Sequence, residues 1–241
     1  MAELRTIDLQ TKEAGWKNHR LYLPAYRFSE AAGLTGTTAQ TITRWYRGYE
    51  SPGHRMKPVL PSEGSPLLSY LQLIEVAFVA DFRRLGIKLD RLRAAHEYCR
   101  KTFNSEYPFA RYQFKTDGVH VLAEFAEHMG GFPRTTQLII TDAGGQVVWG
   151  QAIKERLEQF DYEEGLAFRW HPRGRSSVIL VDPRIAFGAP MIGETGVPTA
   201  VVKERYDAGE KLDEIADDFD LPHSQVVEAL EFEGVRLAPA A

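Results

Sequence analysis

The sequence predicts an α+β fold, mainly helical, in three parts: a basic helical head at 17–103, a small α+β middle region at 104–176 and an acidic helical tail at 177–241. Three observations predict it. Apolar residues recur at steps of three and four in the head and again in the tail, the period of helices that bury one face. Between them the pattern turns to short apolar runs broken by Asp-Gly and Gly-Gly pairs, which mark hairpins. Charge, finally, is segregated along the chain. The formal total is −4 over 241 residues, yet residues 17–61 hold seven basic against two acidic side chains, and residues 178–241 hold thirteen acidic against five basic.

The head is read first. Ser29 is a suitable N-cap and Glu30 suits the positive end of a helix dipole. Ala31, Ala32 and Leu34 give a short helix that ends near Gly36, where a tight turn needs a positive φ. Thr37 or Thr38 then caps a second helix with Ile42, Trp45 and Tyr46 as its apolar stripe. A small residue at Ala32, a glycine four residues on and large apolar residues ten and thirteen on follow the steric logic of a helix-turn-helix. Thr37, Thr38, Gln40, Thr41 and Arg44 lie at the start or on the other face of the second helix, as short polar groups and a guanidinium suited to phosphates and base edges; Arg47 would anchor its end on a backbone. The Pro-rich stretch 52–66 reads as a loop or wing.

The next elements are two amphipathic helices. Leu71, Ile74, Phe78, Phe82 and Leu85 form one stripe, stopped by Gly86, and Leu89, Leu92, His96, Cys99 and Phe103 form the second. They supply either core or a dimer interface. His96 and Cys99 share a face, but two ligands do not close a metal site, so neither metal nor cofactor is expected. In the middle, RYQFK, Asp117-Gly118 and VHVLAEF suggest a hairpin; QLIIT, the turn from Asp142 to Gly145, and QVVW suggest another. A helix near 152–160, a strand near 166–170 and a linker at 173–177 follow. Glu163 and Glu164 have no catalytic context, and no nucleophile elbow, phosphate loop or zinc motif occurs, so no enzymatic activity is expected. The tail opens on the strand Val178–Val181. Pro198 and Thr199 start a helix ending at Gly209; Leu212, Ile215, Ala216 and Phe219, then Val226, Val227 and Leu230, form two more stripes. Ala216, Asp220, Val226 and Ala229 repeat the spacing of Ala32, Gly36, Ile42 and Trp45. Here the surface is acidic, with Asp213, Glu214, Asp217, Asp218, Asp220, Glu228 and Glu231, which would repel a duplex and suits a basic partner or a second copy. No apolar run is long enough to span a bilayer and the start lacks a secretory pattern, while the single Cys99 fits a reducing compartment. A cytoplasmic location is expected.

Two stretches resemble known families. YRFSEAAGLTGTTAQTITRWYRGY is similar to the winged N-terminal domain of MerR-type regulators. That resemblance implies a β-hairpin wing at 48–61, with Arg55 and Lys57 as its phosphate contacts. The run from Val181 to Pro190, with the later Asp-Glu-Ile-Ala-Asp-Asp-Phe, resembles a small bacterial and archaeal domain of antitoxin type often encoded beside PIN-nuclease toxins. Coupled to a MerR-like head, it resembles the larger VapB-type antitoxins. The resemblance implies a winged helix-turn-helix head, a tri-helical C-terminal domain, a toxin partner of PIN type and binding of double-stranded DNA at the chain's own promoter. One helix-turn-helix reads few base pairs, so a homodimer on a palindrome is expected, its recognition helices about 34 Å apart or a multiple of that. A small-molecule-sensing regulator with the same head, an effector pocket in the middle sheet and no toxin is the alternative.

Overall fold

The computed structural model describes residues 19–51, 54–61, 64–128, 139–141 and 147–237. It is mainly helical, with strands only in two-stranded antiparallel pairs among the described residues. The head begins with strand β1 (Tyr26–Arg27), helix α1 (Phe28–Thr35), helix α2 (Ala39–Arg47) and a hairpin of β2 (Tyr49–Ser51) and β3 (His54–Met56). Strand β4 (Leu67–Leu68) returns to pair with β1, Tyr26 opposite Leu68, and closes this excursion at its base. The tip of the hairpin, 52–53, lies outside the described residues.

Helix α3 (Tyr70–Arg84) is the axis of the molecule. Ser69 and Gln72 form a capping box at its start. Every residue from Tyr70 to Phe82 is buried. The amphipathic expectation for this helix is therefore corrected: α1, α4 (Leu89–Thr102) and α6 (Gln151–Glu158) all pack on it, and polar Glu75 and Asp81 are enclosed with the apolar stripe. Leu71, Ile74, Phe78 and Phe82 are spent on the chain's own core, so they offer no face to a second copy. Glu75 is buried because it has work to do there: its carboxylate accepts from the backbone N–H of Phe109 (2.8 Å) and Ala110 (3.2 Å) and pairs with His96 Nε2 at 2.9 Å. Burial pushes this carboxyl above its ordinary range, against the opposing pull of His96 and the two amides.

The expected hairpin at 111–125 is instead a single helix, α5 (Tyr112–His128). Phe114, Gly118, Val121, Leu122 and Phe125 are buried at helical spacing, and no turn forms at Asp117-Gly118. The second expected hairpin is present: β5 (Ile139–Thr141) pairs with β6 (Val147–Trp149), its turn lying outside the described residues. Strands β7 (Phe160–Glu163) and β8 (Leu166–Trp170) pair across Glu164 and Gly165, which both take positive φ.

The stretch 173–177 is pinned rather than a loose linker. Arg175 donates to the carbonyls of Glu158 (2.6 Å) and Phe160 (3.0 Å), and Trp170 and Val181 exchange backbone hydrogen bonds at 2.9 and 2.8 Å. The tail contains β9 (Ile179–Leu180), β10 (Met191–Ile192), and helices α7 (Thr199–Asp207), α8 (Leu212–Asp218) and α9 (His223–Phe232). It has its own core of Ile179, Ile192, Val202, Ile215, Val226, Ala229 and Leu230, separate from the large core around α3.

Candidate nucleic-acid interface

The two head helices and the turn between them are assembled by a few local choices. Arg27, not Ser29, is the N-cap of α1; Glu30 accepts from the Arg27 backbone N–H at 2.7 Å, which leaves Ser29 in the first turn. Gly36 ends the helix at φ +62°, and the Thr37 N–H closes the turn onto Ala32 O at 3.1 Å. Thr38 caps α2: its hydroxyl oxygen accepts from the Thr41 N–H at 3.1 Å while its proton goes to Thr41 Oγ1 at 2.8 Å. Ile42, Trp45 and Tyr46 are buried, and the Tyr46 ring stacks on Phe28 with centroids 6.0 Å apart.

That packing turns Gln40, Arg44 and Arg47 outward, with Thr37 and Thr41 half-buried beside them. The hairpin is held against the helix. Trp45 O accepts from the N–H groups of Val59 (2.7 Å) and Leu60 (3.1 Å). Gly48 sits at φ +71°, where a Cβ would lie 2.3 Å from Met56 O. Arg93 of α4 donates to the carbonyls of Pro58 (2.6 Å) and Lys57. Arg44 lies over the Tyr49 ring at 5.3 Å, which joins the helix face to the hairpin.

Two neighbouring clefts result. One, of about 340 Å³, is lined by Thr37, Thr41, Arg44, Tyr49, Arg83 and Arg84; the second is lined by Arg47, Tyr49, Glu50, Arg55, Lys57 and Pro58. The structure thus brings six of the eight expected residues to two clefts that share Tyr49, and the other two, Thr38 and Gln40, flank them on the exposed first turn of α2. Arg55 is paired with Glu50 at 3.0 Å, both largely exposed, an interaction weak enough for a phosphate to displace. Sequence reasoning missed Arg83 and Arg84. They stand on the last turn of α3, some forty residues from the motif, and no local signal links them to it.

The tail repeats the turn with a different chemistry. Asp220 takes φ +52° and the Leu221 N–H bonds to Ala216 O at 2.9 Å, as Thr37 does to Ala32. Pro222, which has no capping hydrogen bond, precedes α9. Asp213, Glu214, Asp217, Asp218, Asp220 and Glu231 are exposed, whereas Glu228 turns inward to accept from the Val178 N–H at 3.1 Å and the Ser177 hydroxyl. Phe187, also unforeseen, is 77% exposed in a run of three positive-φ residues, Ala186, Phe187 and Gly188. A cleft of about 780 Å³ lies between α1 and this run, with Tyr26, Glu30, Leu34, Arg173 and Phe232 in its walls. It is not in the middle sheet, where an effector pocket was expected. Among the described residues no three His, Cys, Asp or Glu side chains converge as a metal set, and no helix is long and apolar enough to cross a membrane.

Comparison with known proteins follows this division. Residues 179–232 match the family described as "Protein of unknown function (DUF433)". A Mycobacterium tuberculosis protein named "Putative antitoxin VapB45" is 29% identical over 228 residues, covering 88% of this chain and 95% of its own length. The uncharacterized protein Rv2308 of the same organism is 25% identical over 217 residues, covering 86% of this chain and 89% of its own. The X-ray crystal structure of Rv2018 from Mycobacterium tuberculosis is similar with a TM-score of 0.73 at 26% identity, covering 88% of this chain and 99% of that one. Each of these three similarities covers more than four-fifths of the chain and so reaches well beyond the tail that the family model matches.

Proposed function

We propose that this chain is an antitoxin whose head binds double-stranded DNA at its own promoter and whose tail masks a toxin. The observation that carries the reading is the end-to-end likeness to VapB45, which takes in the basic head and the acidic tail together. The head supports it with a polar and basic α2 face flanked by a basic hairpin. The tail supports it with exposed carboxylates around α8 and, earlier in the tail, with Phe187, an aromatic held out to solvent on a strained backbone; such an aromatic is a typical interface anchor. A PIN-type nuclease, its active site approached through basic surface, is the toxin this reading assigns, and repression comes from a dimer occupying a palindrome and excluding polymerase.

The test is co-expression with the product of the adjacent gene, followed by purification and binding to a duplex of the upstream region. The expected result is a stable complex and a salt-dependent shift of that duplex. Failure of the neighbour to co-purify sinks the antitoxin half; absence of a shift sinks the DNA half. A second reading, a regulator that senses a small molecule, is favoured by the cleft between head and tail. It requires a compound that alters duplex affinity and no toxin partner.

A further inference from the structure

Asp81 is buried on α3, and its carboxylate is shared by two guanidinium groups from opposite sides. Arg156 of α6 reaches it through Nε at 2.5 Å and Nη2 at 3.1 Å, a two-pronged grip that fixes the direction of both groups. Arg84, one turn along α3, donates Nη1 to the same carboxylate and Nη2 to the carbonyl oxygens of Thr35 and, at 3.4 Å, Gly36. Those two carbonyls are the end of α1 and the corner of the helix-turn-helix. The fit there is close: a Cβ on Gly36 would stand 2.8 Å from Arg84 Nη2. At its far end Arg156 donates to Gln159 Oε1 at 2.7 Å and lies 5.5 Å from the centre of the Trp170 ring. The Trp170 indole N–H also reaches Gln159 Oε1, at 3.2 Å. Trp170 is the residue that pairs with Val181, where the tail begins.

We infer that Arg156, Asp81 and Arg84 form a charged strut which holds the helix-turn-helix corner at a set distance from the tail junction, so that the attitude of α2 toward DNA depends on the middle region. These are positioning residues: Asp81 and Arg156 do not lie on the surface assigned to DNA, and they act through Arg84 and the corner. The inference rests on the DNA-binding reading above. Its physical basis is that planar guanidiniums and a buried carboxylate have few alternative arrangements, so a shift at Trp170 moves the chain of contacts rather than being absorbed.

The experiment compares the full chain with Arg156→Met and Arg156→Lys, each checked for intact fold by circular dichroism and thermal melting. Affinity is measured for the upstream duplex and for an unrelated duplex of equal length. Arg156→Met, which keeps the stem and removes the fork, is expected to weaken the upstream duplex by about three- to thirtyfold while leaving the unrelated duplex within about twofold. A merely structural loss would lower both together. Arg156→Lys is expected to recover part of the preference, and amide exchange at Gly36 to Thr41 is expected to quicken in Arg156→Met. Unchanged preference and unchanged exchange overturn the strut while DNA binding stands. If the parent chain itself does not prefer the upstream duplex, the DNA-binding reading falls and the strut falls with it. Should Arg156→Met not fold, the same measurements on Asp81→Asn, which keeps an acceptor and loses the charge, decide the question in the same way.

Discussion

The corner at Gly36 and the corner at Asp220 are closed by the same hydrogen bond, from an N–H to the carbonyl five residues earlier, with a positive φ at the same place. Ile42 and Val226 occupy equivalent positions, as do Trp45 and Ala229, and all four are buried. What surrounds the two corners differs. In the head, the helices are part of the large core, the second helix is capped by a threonine hydroxyl, and a guanidinium occupies the end of the first. In the tail, the helices close a small core of their own and the cap is a proline. The surfaces carry opposite charge. Spacing of small and apolar residues is enough to specify the corner; the exposed positions are then free to carry basic and polar groups in one case and carboxylates in the other.

Substitutions can break the parallel, in descending order of effect. Ile42→Ala is expected to cost about 2–5 kcal/mol in chemical denaturation, because the emptied site is walled by a core that cannot collapse. It should also abolish the duplex shift, whereas Val226→Ala loosens the tail and leaves that shift in place; equal effects on DNA from both would mean the two units are not independent. Arg44→Ala should weaken duplex binding by about 1–3 kcal/mol if the group reads a base, or reduce the salt slope by about one if it meets only phosphate. Asp217→Ala, on the tail's corresponding helix pair, should do neither in a titration of the same duplex. Next come the corners themselves. Gly36→Ala forces a Cβ against Arg84 at positive φ and is expected to cost about 1–3 kcal/mol, while Asp220→Gly changes stability by less than about 1 kcal/mol. Thermal melts that rank these two the other way would deny the strain assigned to the head. The smallest effect is Thr38→Ala, about 1 kcal/mol from the lost cap, with Pro222→Ala smaller still.

Much of the head was legible from the sequence, because its signals are local: Ala32, Gly36, Thr38, Ile42 and Trp45 all act within one corner. The tail was legible for the same reason. The middle misled where two local signals conflict. Asp117-Gly118 is a strong turn pair, yet Phe114, Val121, Leu122 and Phe125 bury one helical face, and packing against the core outweighs the turn preference of two residues. The reverse holds at Glu164-Gly165, a two-residue hairpin turn that lacks the Asn-Gly or Asp-Gly pair by which such turns are legible in a sequence. Helix α3 shows a stripe in sequence and none in the fold, since polar Gln72, Glu75 and Asp81 find partners inside. Those partners are distant in the chain: Asp81 and Arg156 are 75 residues apart, and no periodicity relates them. The α2 and hairpin residues proposed from the sequence lie near one another, but Arg83 and Arg84 beside them, and the contacts that hold that surface, carry no local signal.

One consequence concerns how the protein is taken apart. Ile179 belongs to the small core and Val181 to the large one, so a single short strand passes from one to the other within two residues. Arg173 and Arg175 stand exposed just before it, yet Arg173 is tied to the Glu231 carbonyl and Arg175 to those of Glu158 and Phe160, which leaves a protease little slack. A cut there releases nothing, because Val181 stays locked to Trp170, Asp182 stays bound to Arg169 and Arg184 stays bound to Glu163. Pulling the severed tail away would uncover the interior of the other half. Head and tail therefore stay one body after such a cut, and trimming at this stretch does not separate them.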